Sequence, residues 1–174
     1  PGAPNVPTDT TNGSYTTAAA SPVRITQAYY DAHPGVHDEF IAVTNPTNTS
    51  IDLTGCYLTD EPTEPLETQA KLQFPAPSVI PANTTWVITE NATWYAYETG
   101  SLPTYEWTDA RPDVLNVLTQ GVVSLSNTGG AISLDDPTGA CIDLLCYGDT
   151  EPPAFGWNDT PIPACGEGVV LFRN

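Results

Sequence analysis

Short segments in which apolar and polar residues alternate recur from Val23 to the end of the chain. Successive side chains of a β-strand point to opposite faces of the sheet, so a half-buried strand shows a two-residue repeat. In the first segment, Val23, Ile25 and Tyr29 fall on one face. Eight segments of this kind predict strands, at residues 23–30, 39–45, 50–58, 84–89, 121–126, 131–136, 140–147 and 168–173.

Turn-forming residues separate these segments. The turns contain proline, asparagine or glycine, which favour the backbone angles of tight turns. They are Asn45-Pro46, Pro81-Ala82-Asn83, Asn127-Thr128-Gly129-Gly130 and Pro137-Thr138-Gly139. Eight or nine short strands with this spacing are typical of an antiparallel β-sandwich. We therefore predict an all-β domain over residues 22–174.

One stretch between the strands is predicted to be helical. It begins with Asn91, a residue type that caps helix N-termini, and ends with Gly100, which suits the left-handed position after a helix. We expect this short helix to lie over one end of the sandwich. Residues 101–118 are expected to form a loop that is anchored by Trp107 and Leu115.

Several short motifs follow one another in order between residues 23 and 173. They are Glu39-Phe40-Ile41 leading to Asn45, Ile51-Asp52-Leu53-Thr54-Gly55, Phe74-Pro75, Val79-Ile80-Pro81-Ala82, Leu125-Ser126-Asn127-Thr128-Gly129, Leu134 to Gly139, Ile142-Asp143 and Gly168 to Arg173. In this order they resemble the lamin tail domain, which is found on nuclear lamins and on many secreted prokaryotic proteins. The resemblance implies an immunoglobulin-like antiparallel β-sandwich of about eight or nine strands. It also implies a binding or scaffolding role without catalytic residues.

Two positions depart from the family pattern. Cys56 stands where the family has a tryptophan after Gly55, so we expect a disulfide in place of aromatic packing at that point. Ala42 stands at the second acidic position of the strand that begins at Glu39.

The chain is strongly acidic, although few of its residues are charged. Twenty-one acidic residues oppose four basic ones, which gives a net charge of −17, and charged residues make up 14% of the chain. Nucleic acid binding needs a basic surface that displaces the counterions of phosphates, and this composition excludes it. Anionic membranes are disfavoured for the same reason. The acidity is typical of a solvated extracellular surface, and divalent cation binding is the alternative interpretation.

The ends and the hydropathy of the chain indicate secretion. No apolar run reaches the roughly 18 residues of a membrane-spanning helix, so we predict no membrane span. The chain begins at Pro1, as a mature chain does after a secretion signal has been removed. We therefore expect a location at the cell surface or outside the cell. The acidity and the secreted type of domain indicate an archaeal source.

The chain has four cysteines, Cys56, Cys141, Cys146 and Cys165. An even number without a Cys-x-x-Cys pair argues against structural zinc and is typical of two disulfides in a secreted protein. Four cysteines allow three connectivities. Cys141 and Cys146 lie five positions apart, so on a regular strand they point to opposite faces and do not pair. If the last two strands pair antiparallel, Cys146–Cys165 and Cys56–Cys141 are the expected bridges.

Candidate catalytic and metal-binding residues are few. His33 and His37 lie near acidic residues and offer zinc ligands, but we interpret them as part of a solvated loop. The turn from Asp135 to Gly139 offers oxygen ligands for calcium, and a plain hairpin turn is the favoured alternative. There is no Gly-x-Ser-x-Gly motif, and the acidic residues are spread along turns. We predict that the protein is not an enzyme and binds no cofactor.

Five asparagines begin Asn-x-Ser/Thr acceptor sequences for N-glycosylation: Asn12, Asn48, Asn83, Asn91 and Asn158. A chain of this composition is expected to hold about two by chance. Asn158 is disfavoured as an acceptor because Pro161 follows its Thr160. We expect glycans on at least two of the other four.

The N-terminal segment, residues 1–21, is rich in threonine, proline and alanine and lacks the apolar content to fold alone. An extended terminus of this kind can add as a strand to the sheet edge of a neighbouring copy. We predict that the stretch from Thr10 to Ala20 does so, with Tyr15, Thr17 and Ala19 on one face.

These observations favour a secreted, glycosylated structural protein that assembles with copies of itself into a filament, a pilus-like thread or a surface coat. The alternative is a monomeric extracellular module whose loops bind a carbohydrate or a cell-surface partner. A uniform high polymer in size-exclusion chromatography would exclude the alternative.

Overall fold

The computed structural model describes residues 23–32, 37–108, 110–155 and 160–173. In this part of the chain the protein forms thirteen β-strands and one α-helix, which confirms the prediction of an all-β, immunoglobulin-like sandwich. The elements are β1 (Arg24–Tyr29), β2 (Phe40–Asn45), β3 (Ile51–Asp52), β4 (Tyr57–Thr59), β5 (Lys71–Gln73), β6 (Val79–Ile80), β7 (Thr84–Thr89), α1 (Ala92–Thr99), β8 (Tyr105–Glu106), β9 (Leu115–Asn116), β10 (Leu118–Gln120), β11 (Gly129–Asp135), β12 (Cys141–Gly148) and β13 (Leu171–Phe172).

Two sheets pack face to face. The first has the strand order β13-β1-β2-β7-β8-β9, and the second has the order β10-β5-β4-β11-β12. The strands β3 and β6 pair separately. Most neighbouring strands are antiparallel, while β7–β8 and β8–β9 are parallel. The helix α1 lies in the connection from β7 to β8, because parallel neighbours cannot be joined by a tight turn.

The hydrophobic core lies between the two sheets. Tyr30, directly after β1, stacks on Tyr147 of β12 with ring centroids 4.1 Å apart. Phe74 of the second sheet lies 5.7 Å from Trp86 and 5.6 Å from Tyr105 of the first sheet, measured between ring centroids. Full burial of each large apolar side chain contributes about 1.5–3 kcal/mol, so these contacts hold the sheets together.

The helix α1 confirms the helical prediction, including its two ends. The side-chain oxygen of Asn91 accepts the backbone N–H groups of Thr93 (3.0 Å) and Trp94 (3.2 Å). The buried carboxylate of Glu106 accepts the N–H of the first helical residue (3.0 Å). Gly100 ends the helix with φ of 72°, which favours glycine. Within the described residues, no helix has the length and apolar character needed to cross a membrane.

The prediction of a strand at residues 121–126 is wrong. The strand that precedes this segment is β10, and it ends at Gln120. Beyond it, the N–H of Ser124 donates to the carboxylate of Asp60 (3.0 Å). The N–H of the next residue, Leu125, donates to the carboxylate of Glu39 (3.4 Å). Side chains therefore hold this segment in an irregular conformation that its alternating apolar pattern does not reveal.

Residues 101–118 are not the plain loop that the sequence predicts, since they contain β8 and β9 and reach the first residue of β10. Trp107 packs against the core, as expected. Leu115 is exposed, so its predicted role as an anchor is wrong. Val117, two residues further on, is buried instead.

The register of β1, β2 and β7 defines two ends of the sandwich. Arg24 lies opposite Thr44, and Asn45 lies opposite Thr84. We call this the tail end, because residues 1–22 precede it in the chain. At the opposite, acidic end lie Glu39, Asp60 and Glu90, which occupy the ends of β2, β4 and β7.

Candidate functional site

The strands β9 and β10 follow each other in the chain and lie at the edges of the two sheets. Leu115, Leu118 and Val122 are 64%, 56% and 80% exposed. Among the described residues, β10 pairs with β5 on one side only, so its other side presents backbone N–H and C=O groups. We call residues 115–122 the open edge. An edge strand with exposed apolar side chains is suited to pairing with a strand from another chain.

A cavity of about 280 Å³ opens beside the open edge. It lies on the face of the second sheet that points away from the first, because Leu58 and Leu72 on the other face belong to the core. Its lining combines one cation, three amide or hydroxyl side chains, a tyrosine and three apolar residues. These residues are Tyr57, Leu66, Lys71, Gln73, Leu118, Thr119, Gln120 and Pro137.

Lys71, the only lysine of the chain, is the charged group of this pocket. Its ammonium lies 4.9 Å from the centroid of the Tyr57 ring and donates to the carbonyl oxygen of Leu66. The Tyr57 hydroxyl donates to the side chain of Gln69 (3.1 Å). A cation over an aromatic face is stabilised by about 0.5–1 kcal/mol at an exposed site. The pocket therefore offers positioned polar groups for a small ligand that is rich in hydroxyl or carboxylate groups.

Beside the pocket, a buried polar cluster surrounds Asp135, which lies opposite Tyr57 on the neighbouring strand β11. Burial raises the pKa of this carboxyl group to about 6, although contacts with Ser133 and Tyr57 act in the opposite direction. Burial also raises the pKa of Cys141 to about 12, and the nearby Asp135 adds to this effect. A thiol with so high a pKa is a poor nucleophile near neutral pH. The cluster is therefore suited to a structural role and not to covalent chemistry.

The acidic end of the sandwich gathers carboxylates from both sheets. Burial, together with repulsion from Glu90, Asp38 and Asp60, raises the pKa of Glu39 to about 7. The N–H of Leu125 opposes this shift by donating to Glu39. We therefore expect Glu39 to bind and release a proton near neutral pH. Glu39 and Asp60 also accept the backbone N–H groups of the segment that follows the open edge.

All four cysteines lie in the described ranges, and the structure holds them as thiols. In the pairing of β11 with β12, Leu134 lies opposite Asp143, and Asp135 lies opposite Cys141. At this point β12 therefore contains one residue more than β11. Such a bulge breaks the alternation of side chains. Cys141 and Cys146 consequently point to the same face, and the expectation of opposite faces is wrong.

The predicted disulfide pairings are not formed in the structure and stay predictions. Cys56 lies next to β4, and β11 separates β4 from β12, which carries Cys141. Two strand spacings amount to about 10 Å, whereas the Cα atoms of a disulfide lie within about 7 Å. Forming the Cys56–Cys141 bridge would therefore require β11 to move. At the other predicted bridge, the hydroxyl of Tyr30 accepts the N–H of Cys165 and donates to the carbonyl oxygen of Cys165.

The family profile of the lamin tail domain matches residues 16–149. The chain belongs to the lamin tail domain family. No curated protein matches it at a significant level. Among solved structures it is similar to a DUF4876 family protein from Bacteroides thetaiotaomicron VPI-5482, with 14% sequence identity and a TM-score of 0.52. The likeness covers 76% of this chain and 55% of that one, so this chain spans about half of that protein, and the likeness concerns the fold alone.

This lamin tail domain presents two of its glycosylation sequons side by side. Asn48 and Asn83 are exposed at the tail end, and the N–H of Asn83 donates to the carbonyl oxygen of Thr47 (3.0 Å). Asn91 lies at the start of α1, after the last residue of β7, and so at the acidic end. The other two sequons, at Asn12 and Asn158, lie outside the described residues, as do the predicted assembly residues Thr10, Tyr15, Thr17 and Ala19.

The candidate metal ligands of this lamin tail domain do not converge. Asp136 accepts the N–H groups of Thr138 (2.8 Å) and Ala140 (3.0 Å), which is what a plain hairpin turn requires. His37 is exposed and lies 3.2 Å from Glu90, while His33 is outside the described residues. In the part of the chain that the structure describes, no group of three such side chains is placed to hold a metal ion.

Proposed function

We propose that this lamin tail domain is a secreted, glycosylated structural protein that assembles with copies of itself at the cell exterior. The observation that supports this role is the open edge, where β10 has no second strand partner among the described residues and lies beside exposed Leu115, Leu118 and Val122. We assign its occupant as residues 10–20 of a neighbouring copy. The role needs no catalytic residue, and the lamin tail domain is a non-catalytic type of fold.

Charge favours this occupant over other parts of the chain. Each copy carries a net charge of −17, so contacts between two copies are opposed by repulsion. Residues 10–20 contain no charged side chain. A strand from this segment brings main-chain hydrogen bonds and the ring of Tyr15 to the open edge without adding negative charge.

Position also favours contact along the side of the sandwich. Asn48 and Asn83 both lie at the tail end, and glycans on them would occupy the space around it. The open edge lies along the side, away from these two acceptors. Neighbouring copies are therefore expected to meet side to side and not through the glycosylated end.

The test compares the oligomeric state of the full chain with that of two sets of variants. Deleting residues 1–20 or changing Leu118 and Val122 to lysine should give a folded monomer in size-exclusion chromatography with light scattering. Leu102→Lys is the matched control, because Leu102 is exposed and apolar but lies outside the open edge. A truncated protein that still polymerises would place the interface on the faces of the sandwich and contradict the proposal.

The pocket supports a second candidate function, a monomeric module that binds a carbohydrate. The side-chain nitrogens of Lys71, Gln73 and Gln120 each donate one hydrogen bond to a backbone carbonyl oxygen, and each has a further N–H group for sugar hydroxyl and carboxylate groups. This role would require the full chain to be monomeric. It would also require Lys71→Ala to weaken the binding of uronic acid oligosaccharides in titration calorimetry, while Leu102→Lys leaves it unchanged.

A further inference from the structure

The helix α1 brings a glycosylation sequon and two exposed aromatic side chains onto one short surface. The sequon begins at Asn91, and its hydroxyl residue is Thr93 in the first turn. Trp94 and Tyr97 are 39% and 66% exposed, which is unusual for large aromatic side chains on a small domain. Exposed aromatic residues that lie together mark a surface that something covers.

The helix cap orients the Asn91 side chain, to which a glycan would be attached. The side-chain oxygen of Asn91 accepts the N–H groups of Thr93 and Trp94, so the cap holds the orientation of this side chain. The nitrogen that carries a glycan is the other terminal atom of the same amide, and attachment there leaves the capping oxygen in place. A glycan on Asn91 therefore leaves the protein in a direction that the helix itself sets.

The two rings follow Asn91 on the same short helix. A helical side chain leans towards the N-terminus, so Trp94 covers the first turn, where Asn91 begins the helix. The rings of Trp94 and Tyr97 meet edge to face, with centroids 6.0 Å apart and an interplanar angle of 89°. Tyr95, between them in sequence, points inward and contacts Phe40 (5.4 Å between centroids). The outward pair thus forms an exposed aromatic strip that begins at Trp94, in the first turn after Asn91.

We propose that an N-linked glycan on Asn91 folds back on α1, so that its first sugar rings pack against Trp94 and Tyr97. Pyranose rings present a face of C–H groups, and such a face packs well on an aromatic ring whose other side is supported by protein. The packing covers the aromatic strip and stabilises the helix that carries it. This inference rests on the glycosylation part of the proposed function and is independent of the assembly part.

The experiment is a double-mutant cycle on the full chain, secreted from a host that glycosylates sequons. Asn91→Asp removes the acceptor but keeps a capping oxygen, and the negative charge that it adds is present with and without Trp94, so the cycle cancels the effect of that charge. Trp94→Ala removes the strip, and the double variant completes the cycle. Intact mass establishes occupancy of Asn91, and calorimetry measures Tm. We expect the glycan to raise Tm by about 2–4 °C, the shift for roughly 1 kcal/mol in a domain of this size, and to have no effect when Trp94 is alanine.

Two control variants separate packing from general effects. Thr93→Ser keeps both the sequon and the hydroxyl that bonds to the carbonyl oxygen of Ala110, so the stabilisation should persist. Phe155→Ala removes an exposed aromatic side chain elsewhere and should leave the effect of the glycan unchanged.

Three results would overturn the inference. The first is an unmodified Asn91 in the intact mass, which would also remove one site from the glycosylation proposal. The second is an equal gain in Tm with and without Trp94, which would show that the glycan does not use the aromatic strip. The third is binding of free oligosaccharide to the protein glycosylated at Asn91 that is lost with Trp94→Ala, which would make the strip a site for external sugars.

Discussion

The guanidinium of Arg173 donates to the carboxylate of Asp143 and to the carbonyl oxygen of Leu144 (2.7 Å), with the two charged side chains only 2% and 0% exposed. The same carboxylate accepts the N–H of Ile25 (2.6 Å). One buried ion pair therefore joins the end of β13, the middle of β12 and the start of β1. It closes the side of the sandwich that lies opposite the open edge.

Asp143→Asn is expected to destabilise the fold by about 3–5 kcal/mol, because it leaves the Arg173 charge buried without its counter-charge. Urea denaturation followed by tryptophan fluorescence measures the loss. Asp113→Asn is the matched control: it breaks the partly exposed Arg111–Asp113 pair (2.7 Å), which should cost less than about 1 kcal/mol. Equal losses in the two variants would contradict a structural role for the buried pair.

Glu39→Gln is expected to flatten the dependence of stability on pH between its ordinary pKa of 4.5 and about 7. Burial raises the folded pKa of Glu39 to about 7 from 4.5, so the folded state favours the protonated group. The stabilisation from this proton is complete below the ordinary pKa and is lost as pH rises through 7. Raising the pH from 4.5 to about 7 should therefore lower the Tm of the unchanged protein more than that of the variant.

The control for this prediction is Glu64→Gln, which removes an exposed carboxylate of the same type. It should keep the pH dependence of the unchanged protein. If Glu39→Gln keeps the pH dependence of stability of the unchanged protein, other groups at the acidic end titrate instead.

Gly148→Ala is expected to disrupt the hairpin of β11 and β12. Gly148 has φ of 68°, and a Cβ there would lie 2.0 Å from the carbonyl oxygen of Thr128. Backbone strain and overpacking together should cost about 3 kcal/mol or more. Gly100→Ala is the comparison, since Gly100 has φ of 72° but open space around it. It should cost only the strain, about 1 kcal/mol, when both are measured by chemical denaturation.

Disulfides, where they form, are expected within one chain. The pairings predicted from the sequence are Cys146–Cys165 and Cys56–Cys141, and non-reducing peptide mapping identifies which of the three connectivities occurs. Burial raises the pKa values of Cys56 and Cys146 to about 11 and 12, so exchange between chains should be slow. Covalent dimers and trimers that disappear with reductant would contradict this expectation.

Local pattern was sufficient wherever neighbours in sequence decide the structure. The two-residue repeat predicted β1, β2 and β7, because the pleat itself imposes that period. Asn91 and Gly100 predicted both ends of α1, since each acts through backbone groups within a few residues. The ordered motifs likewise predicted the family before any contact was known.

Contacts between distant residues decided the remainder. Residues 121–126 carry a strand-like pattern, but Asp60 and Glu39 from two other strands bind their N–H groups. The bulge on β12 turns Cys141 to the face of Cys146, and only the pairing with β11 creates it. In the part of the chain that the structure describes, β10 is the last strand of its sheet, which no property of residues 118–120 reveals. The sequence by itself therefore determined the elements and the family. The tertiary structure decided the pairing, the edges and the buried charges, because those depend on which strands meet.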